Sequence, residues 1–262
     1  MIQGPHTATK PIITGGSQGL GYSIAEHLIA QGCRSLVIAA RDPDRGLAAR
    51  DELAQMGAHV SFIQTDLGKT EEVLSMVAKA REIMGEVNAL VNAAATTDRG
   101  SILDTTPDEW DRFIAINTRG PFFAIQDVAQ QAIRAGIEAR IVNILTMSSH
   151  CGQSFLAGYS ASKAALANIT KNAANTLRAH KIRVNGINVG WMDTPGEDMI
   201  QRKWHDAEEG WLEKAEATQP FGSLVKPDHV AELVSYLLSA QSGVMTGSII
   251  DFDQNVAGSF PE

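Results

Sequence analysis

The chain has 262 residues, of which 44% are hydrophobic, and a formal net charge of −8. This length and composition allow one large α/β core without a second domain. The negative charge and the lack of a block of like charges argue against a nucleic-acid-binding surface. No run of roughly 18 apolar residues occurs, so we expect no membrane partner. The two cysteines, Cys33 and Cys151, lack metal-site spacing and predict neither a disulfide framework nor a bound metal, which favours a cytoplasmic location.

Short apolar or β-branched runs alternate with amphipathic segments along the whole chain. Such runs are typical of parallel strands buried on both faces, and the segments between them have helical periodicity. The predicted strands lie near Ile12–Thr14, Ser35–Ala40, His59–Gln64, Ala89–Asn92, Ile141–Leu145, Ile182–Asn188 and Ser248–Phe252. The predicted helices lie near Gly19–Gln31, Pro43–Met56, Glu71–Met84, Pro107–Ala135, Tyr159–Ala179 and Pro227–Leu238. This order predicts an α/β fold with a seven-stranded, doubly wound parallel sheet flanked by helices.

Two segments differ in composition from this alternating pattern. Residues 1–9 are polar and include a Gly and a Pro, and we expect a flexible N-terminal tail there. Residues 10–262 would then form one folded domain. Within it, the stretch 192–222 joins the sixth strand to the next helix, and connections of this length are usually functional. We therefore expect a lid near 192–222.

A glycine-rich turn, Thr14–Gly21, follows the first strand and precedes the first helix. This context is typical of a site that binds the pyrophosphate of a dinucleotide. Gly15 permits the tight turn, Gly19 allows the backbone to approach phosphate, and Gly21 allows the helix to pack closely on the sheet. The free N–H groups of the first helical turn would face the anion. An ordinary glycine-rich loop is the alternative.

Tyr159 and Lys163 lie four residues apart in a segment of helical composition. Residues at this spacing share one helix face, so both side chains can reach the same reaction centre. A neighbouring cation favours the phenolate and is expected to lower the pKa of the tyrosine. Tyr159 is therefore a candidate general acid/base, and Lys163 is the candidate group that tunes it. Alone the pair is weak evidence, because the same spacing is common on solvated helix faces.

These two motifs belong to a longer ordered set. The set comprises Thr14–Gly21, Asp66-Leu67, Asn92-Ala93-Ala94, Asn117, Thr146, Tyr159–Lys163 and Gly190–Thr194. In this order and spacing the chain resembles a single-domain short-chain dehydrogenase/reductase, from about Lys10 to Phe252. The resemblance implies a single-domain Rossmann fold and an oxidoreductase that interconverts CH–OH and carbonyl groups. It also implies an NAD(P) cofactor, a small-molecule substrate and a homotetramer.

The resemblance assigns a role to each of several residues. Tyr159 would exchange a proton with the reacting oxygen, Lys163 would bind the nicotinamide ribose, and Asn117 would hold a water that relays protons to Lys163. Thr194 would reach the nicotinamide carboxamide, and Asp66 would face the adenine. The residues expected to bind the cofactor are Gly15, Ser17, Gln18, Gly19, Leu20, Gly21, Arg41, Asp66, Leu67, Asn92, Ala93, Ala94, Tyr159, Lys163 and Thr194.

The remaining catalytic candidate is a hydroxyl group that orients the substrate. The family usually has a Ser at the position of Thr146, and a Thr can donate the same hydrogen bond to a carbonyl. Ser148 and Ser149 follow closely and are competing candidates. We favour Thr146 because it stands at the end of a predicted strand, where the register is fixed.

The end of the second strand governs the choice of cofactor. In this fold an acidic residue there binds the adenosine ribose of NAD, whereas an Arg accommodates the 2′-phosphate of NADP. Ala40 stands where the acidic residue is expected, and Arg41 follows it. We therefore expect NADP(H), since Arg can bind the phosphate with two hydrogen bonds. The alternative is NAD(H), with Arg41 as a solvated charge paired with Asp42.

The sequence contains fewer signals for the substrate. The expected lid carries several carboxylates and Trp204, and Trp191 directly precedes it. Together with Ser148 and His150 after the fifth strand, these residues suit a hydroxylated substrate such as a sugar or polyol. The alternative is an acidic amphipathic lid helix whose Trp side chains seal the core. A non-catalytic dinucleotide-binding regulator is the remaining alternative to an enzyme.

Overall fold

A computed structural model describes residues 4–259 of the chain. Its strands form one seven-stranded parallel sheet in the order β3-β2-β1-β4-β5-β6-β7. These strands are β1 (Pro11–Thr14), β2 (Ser35–Ala40), β3 (His59–Gln64), β4 (Ala89–Asn92), β5 (Ala139–Thr146), β6 (Ile182–Val189) and β7 (Ile249–Phe252). Residues 1–3 and 260–262, where the expected tail starts and the expected domain ends, lie outside the described residues.

Helices cover both faces of the sheet. The helices are α1 (Gly19–Ala30), α2 (Pro43–Ala54), α3 (Thr70–Met84), α4 (Pro107–Ile114), α5 (Gly120–Ala135), α6 (Ala157–Leu177), α7 (Pro195–Trp204), α8 (Trp211–Ala217) and α9 (Pro227–Leu238). Apolar residues of α3, α5 and α6 pack on one face, and those of α1, α2 and α9 pack on the other. None of these helices combines the length and apolar character needed to cross a bilayer. The doubly wound arrangement confirms the predicted fold class.

The strands are buried on both faces because their residues are apolar at successive positions. Side chains alternate between the two faces of a strand. Ile12 and Val37 therefore join the core under α3, α5 and α6, whereas their neighbours Ile13 and Ile38 join the core under α1 and α9. Strands with this continuous apolar pattern need helices on both faces, and the alternating helices of the chain supply them.

Because the sheet is parallel, the carboxyl ends of its strands lie at one edge, where a site can form. Thr14 at the end of β1 pairs in register with Asn92 at the end of β4, and Asn92 pairs with Asn143 of β5. The strand order reverses between β1 and β4, since β2 and β3 lie on one side and β5 to β7 on the other. Ligands of doubly wound sheets bind at this switch point, beyond the carboxyl ends of the strands.

The long helix predicted for Pro107–Ala135 is interrupted in the structure. A π-helical turn, Ala115–Arg119, separates α4 from α5. Pro121 has no N–H, so it cannot donate the usual helical hydrogen bond to the carbonyl of Asn117, four residues earlier. The Asn117 side chain lies inside the protein and is fully buried. π-helical turns are frequent at functional sites.

The two segments outside the alternating pattern also differ from expectation. The stretch 192–222 contains α7 and α8, so the expected lid is largely helical. The described part of the expected flexible tail packs on the domain, because His6 is fully buried. Its Nε2 atom lies 2.8 Å from Oγ of Ser235 on α9, and its Nδ1 atom lies 3.0 Å from Oγ1 of Thr9. Ser235 is 229 positions away, so no local pattern could predict this contact.

His6 predicts an acid-sensitive fold. Burial lowers its pKa from 6.5 to about 4. Between about pH 6.5 and pH 4 the unfolded chain therefore binds more protons than the folded chain, so the free energy of unfolding should fall as the pH falls through this range. The part of that fall that comes from His6 should reach about 3 kcal/mol. Urea denaturation near neutral pH and at about pH 4.5 should show a smaller acid-induced loss for His6→Gln than for wild type.

A control variant separates this effect from general acid sensitivity. His59 is exposed at the start of β3. His59→Gln removes the same ionisable group without removing a buried one. This variant should lose as much stability on acidification as the wild type does. Equal pH dependence for His6→Gln and wild type would contradict the prediction.

Candidate active site

A cavity of about 980 Å³ runs along the carboxyl ends of the strands. The glycine-rich turn forms one part of its wall, and the residues after β5 and the start of α6 form another. The predicted site residues that line it are Gly15, Ser17, Gln18, Gly19, Leu20, Gly21, Arg41, Asp66, Leu67, Ala93, Ala94, Thr146, Ser148, Tyr159, Lys163, Trp191 and Thr194. The fold therefore brings most of the predicted set to one cavity.

Four predicted site residues do not line this cavity, and one of them, Asn117, is described below. Asn92 is buried in the core, where its Nδ2 donates to Oδ1 of Asn143 at 2.8 Å, so its side chain cannot reach an adenosine ribose. His150 lies with its Nε2 atom 2.8 Å from Oδ1 of Asp251 at the end of the sheet. Trp204, at the end of α7, is 41% exposed. Neither His150 nor Trp204 lines the cavity, and their contacts with a substrate stay predictions.

The glycine-rich turn has the shape that a pyrophosphate requires. Gly15 has a φ of 73°, and a Cβ atom there would lie 2.9 Å from the backbone of Ala94. A Cβ atom at Gly21 would collide with the carbonyl of Gly15. Gln18 precedes α1 without capping it through its side chain, and the first turn of α1 has no acidic residue. The N–H groups of this turn can therefore bind an anion, which fits a dinucleotide.

The end of β2 has the charge distribution expected for a phosphate site. Ala40 and Arg41 line the cavity, and Arg41 is exposed. Asp42, the proposed alternative partner of Arg41, instead caps α2 by accepting from the backbone N–H of Arg45 at 3.1 Å. Its carboxylate also lies 3.7 Å from the Arg45 guanidinium. Among the described residues no carboxylate lies within 4 Å of the Arg41 guanidinium, so this charge is available to a ligand.

The Asn117 side chain joins the loop after β4 to α6. Its Oδ1 accepts from the backbone N–H of Thr96 at 2.9 Å, and its Nδ2 donates to the Thr96 carbonyl at 2.9 Å. Nδ2 also lies 3.0 Å from the hydroxyl of Ser162. The side-chain amide is thus occupied and does not line the cavity. A proton relay through Asn117 would therefore have to use its backbone carbonyl, which the Pro121 ring leaves without an α-helical donor.

Lys163 is a charged group inside the protein, with only 2% of its surface exposed. Its Nζ donates to the backbone carbonyl of Ile144 in β5 at 2.7 Å. Burial lowers the pKa of Lys163 to about 8. A buried lysine is costly, and a perturbed pKa at a cavity wall is typical of a functional group.

Tyr159 lies at the cavity wall one helical turn before Lys163. Burial raises its pKa to about 12. The nearby Thr146 hydroxyl and the charge of Arg99 lower this pKa, whereas the charge of Glu197 raises it. The expected lowering by Lys163 is therefore wrong for this structure, because desolvation of the phenolate outweighs the effects that favour it.

The position of Tyr159 distinguishes among the three candidate hydroxyls. Thr146 is the last residue of β5, and a hydrogen bond with its hydroxyl lowers the pKa of Tyr159. Ser148 instead donates to Oε1 of Gln153 at 2.5 Å. Ser149 donates to a side chain of β6 at 3.2 Å. These contacts therefore favour Thr146 as the hydroxyl beside Tyr159, the candidate general acid/base.

Several charged, polar or aromatic residues of the cavity were missed from the sequence. They are Asp98, Arg99, Arg112, Phe155 and Gln201. Most lie in loops or on the helical lid, where neither periodicity nor a motif marks a residue as functional. The Arg99 guanidinium lies 3.9 Å from Oε1 of Glu197, and this contact links the loop after β4 to α7.

Comparisons with known proteins agree with the geometry. A family model described as "Enoyl-(Acyl carrier protein) reductase" matches residues 15–255. The chain belongs to the short-chain dehydrogenase/reductase family. It is similar to a (3R)-3-hydroxyacyl-CoA dehydrogenase of Mus musculus, with 31% identity over 92% of this chain and 93% of the relative. It is also similar to a sorbitol dehydrogenase of Cereibacter sphaeroides, with 29% identity over 92% and 94%.

Solved structures agree as well. A short-chain type dehydrogenase/reductase from Mycobacterium marinum matches with a TM-score of 0.86 and 28% identity, over 97% of each chain. The protein is thus an oxidoreductase of the NAD(P)-dependent family that acts on CH–OH groups, as the sequence motifs predict.

The choice between Thr146 and Ser148 gives a direct test. Thr146→Val keeps the shape of the side chain and removes the hydroxyl. It should lower kcat/KM by about 10²-fold, the scale for losing an oxyanion donor. Ser148→Ala removes a hydroxyl that is bonded to Gln153 and should have a much smaller effect. Steady-state kinetics of the two variants measure this, and the reverse order would assign the role to Ser148.

Proposed function

We propose that the protein is an NADP(H)-dependent oxidoreductase that interconverts a secondary alcohol and a carbonyl, with Tyr159 as general acid/base. The observation that carries the proposal is the cavity itself. It joins the anion-binding turn at Gly15–Gly21 to Tyr159, Thr146 and Lys163 in one continuous space. A dinucleotide bound on the turn would therefore extend towards a titratable phenol.

The residues at the reaction centre suit hydride transfer. A bound nicotinamide would accept or supply the hydride. Thr146 would hydrogen-bond the reacting oxygen and hold it beside Tyr159. Tyr159 would take the hydroxyl proton when the alcohol is oxidised and return it when the carbonyl is reduced. Lys163, with a pKa of about 8, can exchange protons near the operating pH of most enzymes.

A non-catalytic regulator is the less favoured alternative. A protein that only binds a dinucleotide has no need of a phenol beside the Thr146 hydroxyl, one helical turn from a buried ammonium group. Lys163 is almost fully buried, and the only described hydrogen bond of its Nζ goes to Ile144. Keeping this charge in the core costs stability, which is the pattern of an active site. The enzyme is therefore favoured.

NADP(H) is the proposed cofactor, and NAD(H) is the alternative. The support comes from Ala40, which places no carboxylate at the end of β2, and from Arg41 beside it in the cavity wall. Asp42 is engaged with Arg45 and does not neutralise Arg41. A 2′-phosphate would therefore meet a positive charge and no opposing negative charge.

Part of the support for a hydroxylated substrate, such as a sugar or polyol, remains. Trp191 and Ser148 line the cavity and can contact C–H and O–H groups of such a molecule. Trp204 and His150 do not line this cavity, so they add no support for such a substrate. Sorbitol dehydrogenase is among the similar proteins, and so is a hydroxyacyl-CoA dehydrogenase, so relatives alone leave the substrate class open.

The wider organisation is proposed on similar grounds. Residues 10–262 would form one catalytic domain, in which α7 and α8 form a lid near 192–222. Exposed apolar side chains on α4 and α5, including Trp110, Phe122 and Ile133, suit subunit contacts in a homotetramer. A cytoplasmic location is favoured by Cys33 and Cys151, which do not form a disulfide.

The role of Tyr159 can be tested by a conservative change. Tyr159→Phe keeps the ring and removes the titrating hydroxyl. It should lower kcat by at least about 10²-fold and leave NADPH affinity nearly unchanged. Tyr22→Phe is the matched control, because it removes an exposed hydroxyl that contacts Glu52. Kinetics and NADPH fluorescence titrations measure both, and full turnover by Tyr159→Phe would refute the assignment.

The cofactor preference can be tested at the end of β2. Arg41→Met removes the proposed phosphate contact and should weaken NADPH binding by about 10-fold or more, with little change for NADH. Ala40→Asp should repel the phosphate and shift the preference towards NADH. Arg34→Met is the charge control, since Arg34 is exposed near the opposite end of β2. Parallel titrations measure this, and a wild-type preference for NADH would contradict the proposal.

A further inference from the structure

Apart from Lys163, Arg99 is the best-buried cation among the described residues that line the cavity. Its side chain is only 12% exposed, against 44% for Arg112, which lines the same cavity. Its charge is close enough to Tyr159 to lower the pKa of that phenol. Burial also lowers the pKa of Arg99 itself, which reflects a poorly solvated charge. A charge in this position needs a partner.

The contacts that hold Arg99 fix the direction of its guanidinium and include an ion pair with Glu197 at 3.9 Å, which is too long for a hydrogen bond. One NH1 hydrogen bond goes to the carbonyl of Thr97 at 3.0 Å, and Nε donates to Nε2 of His205 at 3.1 Å. The Phe155 ring lies beneath the guanidinium, 5.5 Å from its central carbon. Since an Arg has five N–H donors, three have no acceptor within hydrogen-bonding distance among the described residues. The group is therefore both fixed and unsatisfied.

The carboxylates near Arg99 are engaged elsewhere. Asp98 accepts from Lys203 at 3.1 Å and is paired with Arg112. Glu197 is the only described carboxylate within 4 Å, at 3.9 Å, which is too long for a hydrogen bond. Its Oε1 accepts instead from Nε1 of Trp191 at 2.8 Å and from Nε2 of Gln201 at 2.7 Å.

The geometry points to a substrate that carries a carboxylate, which the Arg99 guanidinium binds while the carbinol or carbonyl group lies between Thr146 and Tyr159. The protein would then interconvert a hydroxy acid and an oxo acid. On oxidation the carbinol carbon would give up its hydrogen as a hydride, which a bound nicotinamide would accept, and the phenolate form of Tyr159 would take the O–H proton. This inference rests on the proposed function and names the substrate class of the same site.

A carboxylate fits these observations better than the alternatives. It is planar and monoanionic, so it matches the two-donor fork of one guanidinium. A phosphate dianion would bring a second charge close to Glu197, and no further cation lies within 4 Å of that carboxylate among the described residues. A neutral polyol would leave Arg99 with only the long ion pair to Glu197 at 3.9 Å.

The first test uses the wild-type enzyme with NADP. The substrates are short α- and β-hydroxy acids, their methyl esters, the corresponding alcohol phosphates and neutral polyols. The acids should have kcat/KM values about 10²-fold above those of their methyl esters, which lack the negative charge and carry one more methyl group. Esters, polyols or phosphates that equal or exceed the acids would overturn the inference.

The second test changes the cation. Arg99→Met should remove most of the preference for acid over ester, mainly by raising KM for the acid, and should leave the esters nearly unaffected. Arg99→Lys should restore part of the preference. Arg112→Met removes an equal charge from the same cavity wall and should keep the acid-to-ester ratio of the wild type. A merely structural Arg99 would lower activity towards acid and ester alike.

A third measurement needs no turnover and separates this inference from the proposed function. Calorimetry with NADPH-loaded protein compares butyrate with butyramide, which has a similar shape and no charge. Butyrate should bind to wild type and Arg112→Met and should lose about 10-fold or more in affinity with Arg99→Met. Equal binding of acid and amide overturns the carboxylate site. Selective butyrate binding without turnover of any alcohol or carbonyl would refute the proposed function and leave the site standing.

Discussion

The hydrogen bonds of the buried Asn117 side chain hold the catalytic part of the structure together. A single amide satisfies both backbone groups of Thr96 and contacts Ser162 on α6. Arg99 follows Thr96 on the same loop, and Tyr159 precedes Ser162 on the same helix. The placement of Arg99 relative to Tyr159 therefore depends on this contact. Its loss would leave buried backbone groups unpaired, which costs more than one hydrogen bond contributes.

Burial shifts the pKa values of Tyr159 and Lys163 in opposite directions for one physical reason. In each case desolvation disfavours the charged form, the phenolate of Tyr159 and the ammonium of Lys163. Without a ligand, the site therefore disfavours the phenolate and the ammonium that the proposed proton transfer requires. The Ile144 carbonyl supports the ammonium, and the Thr146 hydroxyl supports the phenolate. Such a site costs folding stability and gains proton-transfer groups whose charge responds to what binds beside them.

The sequence predicted the features that depend on local pattern. Continuous apolar runs located the strands, and glycine order located the turn before α1. Features that depend on distant contacts were missed or misassigned. Asn92 was predicted to contact the cofactor, but its side chain lies in the core and donates to Asn143. The π-helical turn left no mark in apolar periodicity, although Pro121 marks its physical cause. Arg99 belongs to no sequence motif, because its position depends on contacts with Thr97, Phe155 and Glu197 that exist only in the folded protein.

The two ends of the cavity bind charge by different means. At the glycine-rich turn, the anion site is made of backbone N–H groups at the start of α1, which the fold fixes wherever the helix forms. At the lid, the positive charge is a single side chain, and only its contacts with Thr97, His205 and Phe155 fix its direction. Tyr159 and Thr146 lie in the same cavity. In the proposed complex, a cofactor and a substrate that are each held by charge would have little freedom to slide, so the two charged contacts would position the reacting carbon. The single hydroxyl of Thr146 would then only have to orient the oxygen.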